Sequence, residues 1–286
     1  VARQHTDNIV SPSRGSILRG EVRSSASSLL GTSSSLFFNK GSGDMAFYTP
    51  FGWRNVLSLR LRAGAVVGRR LADTLSFIPP QERLYAGGPT SVRGFQQNEL
   101  GDVVYIARDR DVRRDTLAPP FRYSVNDTVG YERVVPLGGN TLFVANLEYR
   151  VRDPFILPNL LQYTLFVDGG DVWNRPNAPE VKWTPGAGLR ILTPVGPVQI
   201  NVGYNRYSQS PGPIYFEDPA RTAPSAVRPD ISPLYCVSPG NTVDLEIRDG
   251  VLQPPVGSGC VASFAPRQRA RWYQKLAFTF SIGPDF

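Results

Sequence analysis

One arginine stands out in a stretch otherwise built of small and apolar residues. Residues 82–95 read ERLYAGGPTSVRGF, with Arg93 between Val92 and Gly94, and Phe95 beyond. The stretch is too apolar for an idle loop and too rich in glycine for a regular strand or helix. A guanidinium in such a setting does one kind of chemistry well. It pairs bidentately with carboxylates, which fixes orientation as well as supplying energy. Reagents for other chemistry are scarce. The chain has a single histidine, His5, and a single methionine. A histidine triad or a His-ligated metal site would have to be built on His5, close to the start of the chain. No nucleophile, base and orienter can be assembled, so an enzyme is not expected, nor a metal or cofactor. Asp168-Gly169-Gly170-Asp171 offers too few ligands for a calcium loop and reads as turn chemistry. The charge run at 108–115 (RDRDVRRD) reads as a solvated surface loop.

The elements that must position Arg93 are strands. Hydrophobic residues make up 41% of the 286, and no run approaches the roughly 18 apolar residues of a membrane helix. Mean hydropathy is −0.21. A membrane β-barrel fits these values, because its strands alternate apolar and polar residues and average to a soluble-looking composition. Gly 27 and Pro 26 break any long helix. The net charge of +7 is compatible with nucleic acid or an anionic lipid surface. The arginines are scattered among acids rather than ranged with aromatics, which argues against nucleic acid.

Eight segments alternate. They lie at 16–24, within 36–48, and at 57–67, 143–150, 163–168, 183–191, 198–205 and 276–282. The third is the clearest. Leu57, Leu59, Leu61, Ala63, Ala65 and Val67 share one face, and Ser58, Arg60, Arg62 and Gly64 the other. The polar faces are rich in Gly, Ser, Thr, Asn and Arg, which suits a crowded wet lumen. Connection lengths alternate, short after the second, fourth and sixth strands and longer elsewhere. Two are very long, at about 69–140 and about 206–271. Tyr48, Trp53, Tyr149, Trp173, Trp183, Tyr204 and Trp272 fall near strand ends, as an interfacial girdle would. The expectation is an all-β, antiparallel transmembrane β-barrel wall. A soluble β-sandwich would leave the loop parity unexplained. The stretch around Arg93 then falls in a long connection, as a hairpin tip folded back into the lumen. Cys236 and Cys260 lie in the second long connection. An even pair there suggests a disulfide and an oxidising compartment; two free surface thiols are the alternative.

Four ordered blocks carry a family resemblance. They are Leu84 to Phe95 (LYAGGPTSVRGF), Leu165 to Trp173 (LFVDGGDVW), Gly186 to Pro197 (GAGLRILTPVGP) and Leu276 to Phe286. Together they resemble the BamA- and TamA-like outer-membrane protein assembly factors, a family that also includes the two-partner secretion transporters. The resemblance implies that residues 1–286 are the C-terminal half of a sixteen-stranded barrel in the bacterial outer membrane. It implies that the loop residues Val92, Arg93, Gly94 and Phe95 are held in the lumen by Glu148 and Asp168, both on the inward phase of their strands. Pairing of those acids with Arg60, Arg62, Arg150 or Arg190 is the alternative. It also implies a terminal strand, with Phe278, Phe280, Ile282 and the aromatic Phe286, that serves as seam and C-terminal signal. The expected function is assembly and insertion of β-barrel proteins without covalent chemistry. The expected partners are outer-membrane lipids, unfolded clients, POTRA domains, and accessory lipoproteins or another membrane complex. The rivals are a polypeptide transporter and a structural barrel subunit. An eight-stranded barrel is just filled by its own side chains. It has no room for a folded-in hairpin, so more strands are expected to complete the wall.

Overall fold

The computed structural model describes residues 1–286 apart from 29–34, 53, 69, 73–74, 77, 116, 127–133, 159, 195, 219–229, 234–241, 249–250, 254–262, 268–270 and 284–286. Its main feature is a nine-stranded antiparallel sheet in sequence order. The strands are β1 (Ala2–Thr6), β2 (Gly15–Ser28), β3 (Ser35–Phe51), β4 (Asn55–Gly68), β5 (Thr141–Arg152), β6 (Leu161–Trp173), β7 (Lys182–Ile191), β8 (Val198–Tyr204) and β9 (Leu276–Ile282). Among the described residues β1 and β9 are the two edges and do not pair, so the sheet is an open, partial barrel.

All eight expected strands are present, and β1 precedes them. His5 is part of β1 and pairs with Ser16 of β2. The connection from β1 to β2, rich in Asn, Pro and Ser, is a turn built on Asp7. Its carboxylate accepts the backbone N–H of Asn8, Ser13 and Arg14 at 2.9–3.0 Å.

The alternation sorts the two faces as expected for a wall in lipid. Leu165, Leu147, Leu189, Ile200, Phe278 and Phe280 are exposed, whereas Asn146, Glu148, Asp168, Thr184, Arg190 and Asn201 are buried. A water-soluble sheet would show the opposite sorting, because apolar area removed from water is what stabilises a core. Strands β2 and β3 run 14 and 17 residues, whereas about 9–11 suffice to cross a bilayer. Their extra length leaves only residues 29–34 as the connection, much shorter than the sequence pattern predicts.

The chain divides into two compact units. Residues 1–101, 138–207 and 271–286 form the wall and the segment packed on it. Residues 102–137 and 208–270 form the second unit, drawn from both long connections. Among the described residues it contains two four-stranded sheets. One orders 134–136, 103–107, 214–218 and 230–233, and the other 251–253, 242–248, 121–125 and 112–115. Val103, Tyr105, Ala107, Val112, Val125, Ile214 and Phe264 form its core, with Tyr105 and Phe264 in edge-to-face contact at 5.0 Å. The charge run at 108–115 is thus not a solvated loop. It becomes a 3-10 turn and a strand with Val112 buried. The segment packed on the wall is narrower than 69–140, since residues 102–137 belong to this second unit.

Candidate functional site: a hairpin pinned to the inner wall

Residues 84–101 lie against the polar face of the wall. Two isolated bridges shape them, Leu84 with Gly139 and Ala86 with Leu100. The tip turns back at Gly87 and Gly88, at φ +109° and +94°, a conformation open to glycine. The Gly87 amide donates to Ser91 Oγ at 2.8 Å, and the Gly88 amide to the Phe95 carbonyl at 3.1 Å.

Two kinds of contact hold the hairpin. The first is apolar. Leu84, Ala86, Val92, Phe95 and Leu100 pack with Val66, Leu142, Val144 and Val172 of the wall. The ring of Tyr207 stacks on Phe95 at 6.5 Å. The second is ionic and centred on Arg93, which is 2% exposed. Its Nε and Nη2 donate to the two oxygens of Asp168, at 2.8 and 2.9 Å, and its backbone amide donates to the same carboxylate at 3.0 Å. Its Nη1 donates to Glu148 Oε2 at 2.5 Å. The guanidinium carbon sits 3.5 Å from the centre of the Phe166 ring.

The sequence left two partners open for the acids, the loop arginine or wall arginines. Glu148 takes both, since its other oxygen accepts from Arg150 Nε at 2.6 Å and from Arg190 Nη1 at 3.1 Å. Arg60 is elsewhere. It forks onto Asp44 and donates to the Thr90 carbonyl at 3.0 Å. Asn146 spans the Ser91 carbonyl and Asp168 at 2.5 and 2.8 Å. The wall therefore reads the hairpin at Thr90, Ser91 and Arg93.

Magnitudes separate the two contacts. Fully burying an aliphatic side chain such as Val92 or Leu100 stabilises by about 1.5–3 kcal/mol. A buried ion pair gains little net energy after desolvation, but breaking it is costly. The apolar cluster supplies the adhesion, and the Arg93 fork fixes the register.

Close packing at the next residue reinforces that register. A Cβ on Gly94 would collide with the side chain of Thr184, and one on Gly203 would come within 3.0 Å of the Arg93 carbonyl carbon. Sequence reasoning missed Asp44, Asn146, Phe166, Thr184, Gly203 and Tyr207 as parts of the site. Inward parity was the available signal for all but Tyr207. Of the other expected site residues, Phe278, Phe280 and Ile282 lie on β9 and point outward, exposed. Phe286, Cys236 and Cys260 lie outside the described residues, and with them the expected C-terminal aromatic and the expected disulfide.

A wall with apolar side chains outward and a glycine-tipped hairpin seated on its polar face is a transmembrane β-barrel construction. Residues 1–217 match the Omp85 superfamily domain, and the chain belongs to the Omp85 superfamily. That makes it a protein of the bacterial outer membrane, in a family that inserts or transports other proteins there. Among solved structures it is similar to BamA from Haemophilus ducreyi lacking POTRA domains 1–3, with 20% identity and a TM-score of 0.45. The match covers 67% of this chain and 35% of that one, so the chain spans about a third of that protein's length.

Proposed function

We propose that these residues are the C-terminal barrel half of a protein that inserts β-barrel proteins into the outer membrane. The observation that carries the reading is the edge of β9. This strand pairs along its whole length with β8, and as the last strand of the wall it is the one that meets the strand closing the barrel. An unpaired edge recruits an incoming strand by backbone hydrogen bonding. Phe278, Phe280 and Ile282 keep that edge at the lipid boundary. The Arg93 fork holds the inner wall in one register while the edge exchanges partners. Clients are unfolded outer-membrane proteins. POTRA domains and accessory lipoproteins, or another membrane complex, act through parts of the protein beyond these residues. No covalent step or cofactor is involved.

Photo-reactive residues at Phe278 and Phe280, on the lipid-facing side of β9, test this against the lumenal positions Gln162 and Asn201. Insertion gives adducts with nascent barrel proteins on β9. Adducts with a secreted polypeptide at the lumenal positions alone would identify a transporter. Client adducts at neither place would leave a structural subunit.

A further inference from the structure

The turn between β5 and β6 is unusual for a segment at the mouth of a barrel. Residues 154–160 read PFILPNL, without a charge. Phe155 and Ile156 are 88% and 73% exposed, and Leu157 and Leu160 are exposed beside them. In water such a cluster is unfavourable, and a merely solvated turn has no need of it.

The backbone of this turn hides its donors. The Asp153 carboxylate accepts from the amides of Phe155, Ile156 and Leu157, at 3.4, 2.6 and 2.5 Å. The Leu157 carbonyl accepts from the amides of Leu160 and Leu161 at 3.0 and 2.9 Å. Pro154 and Pro158 carry no amide hydrogen. Every described amide of the segment is thus satisfied internally or absent. Satisfied donors remove one part of the desolvation cost of bringing backbone to an apolar boundary, where carbonyls still reach water and headgroups.

The turn also leans to a definite side. Asp153 continues the outward phase of β5, after Leu147, Tyr149 and Val151, yet it is 2% exposed because its own turn covers it. Tyr163, an outward residue of β6, reaches the same carboxylate with its hydroxyl at 3.4 Å. The apolar cluster is therefore continuous with the lipid-facing band. Tyr149, in edge contact with Phe51 at 6.5 Å and hydrogen-bonded by Asn55 at 2.7 Å, extends the same belt. Arg152 is exposed beside the turn, and its backbone amide is held by the Arg54 carbonyl at 3.2 Å.

We propose that residues 154–160 form an interfacial foot, buried among the lipids of the leaflet at the short-turn end of the barrel. Phe155, Ile156, Leu157 and Leu160 enter the headgroup–acyl boundary, as the apolar face of an amphipathic surface segment does. Arg152 stands at the phosphate level. The occupant is lipid rather than protein, because the patch continues a surface already facing lipid and its described amides offer no free donor to a partner.

The test places a benzophenone amino acid at Phe155 or Ile156 in the full-length protein in its native membrane. Leu165 serves as the lipid-facing reference and the exposed Asn177, in the turn at the other end of β6, as the aqueous one. Heat-modifiable migration establishes that each labelled variant is folded. The expected result is lipid adducts at 155 and 156 as strong as at 165, without a protein adduct. A discrete protein adduct, with a partner or a second copy, overturns the proposal. So does a lipid signal no higher than at Asn177.

Discussion

Gly94→Ala is the sharpest probe of how the hairpin is seated. The φ of Gly94 lies outside the left-handed region, so alanine meets no backbone strain there. The whole effect is steric. The new Cβ would overlap the Thr184 side chain, including its Cβ at 2.5 Å, and Thr184 is 0% exposed with no room to turn away. Overpacking of this kind costs about 1–3 kcal/mol. At about 2 kcal/mol the ratio of released to seated hairpin rises roughly thirtyfold. Trypsin reports that ratio, because Arg93 is buried when the hairpin is seated and cleavage tracks the open population when reclosing is fast. In detergent-solubilised protein, cleavage after Arg93, quantified by mass spectrometry, should rise by that factor in Gly94→Ala. Thr184→Gly should restore it, whereas Thr184→Ala should restore it only in part, because its Cβ remains. Unchanged cleavage in Gly94→Ala, or additive effects in the Gly94→Ala/Thr184→Gly double variant, would refute the packing argument.

Arg93→Ala leaves Asp168 with the Asn146 amide and the backbone amide of residue 93 but without the guanidinium, while Glu148 keeps Arg150 and Arg190. Loss of one buried partner costs about 3–5 kcal/mol, to be read as a lower midpoint of heat-modifiable migration; Arg93→Lys should recover less than half, lacking the fork. Asp153 has a pH signature. Its backbone hydrogen bonds, first that from Leu157, hold its carboxyl below the usual range. The cap's contribution is therefore complete above the unfolded value of about 4 and fades as pH falls through the lower folded value. Hydrogen exchange of the peptide covering 154–161, corrected for intrinsic rates, should be flat from neutral pH to about 4, accelerate as pH falls towards the lower folded value, and level off below it. Asp153→Asn should abolish the step; a step that survives would assign it to another group.

The strands of the wall were legible because their period is two and their faces differ in chemistry. Leu57 to Val67 announces β4 without help from tertiary structure, and the parity that put Glu148 and Asp168 inward is the parity the fold displays. β1 was not legible. Its residues, Ala2 to Thr6, are mostly exposed and polar, so no apolar stripe marks a strand that exists because β2 offers it an edge. The second unit was hidden for a different reason. Its strands are short, broken by proline and glycine, and paired across more than a hundred residues, as Tyr105 is with Ile214. The set of groups around Arg93 was legible in part. The acids came from motif and phase, but Asp44, Asn146 and Tyr207 owe their places to how the hairpin lies across five strands, β4 to β8.

The joint construction of the second unit has a consequence for biogenesis. Val103–Ala107 gains its parallel neighbour Ile214–Asp218 only after four wall strands, β5 to β8, have intervened, with β9 still to come. A chain crossing the periplasm from its N-terminus therefore carries an apolar strand whose parallel partner has not yet been delivered. Trimming either long connection alone would make that interval permanent, stranding half a core in the survivor. The two connections are a single inheritable module, and insertions or deletions in one are tolerable only when matched in the other.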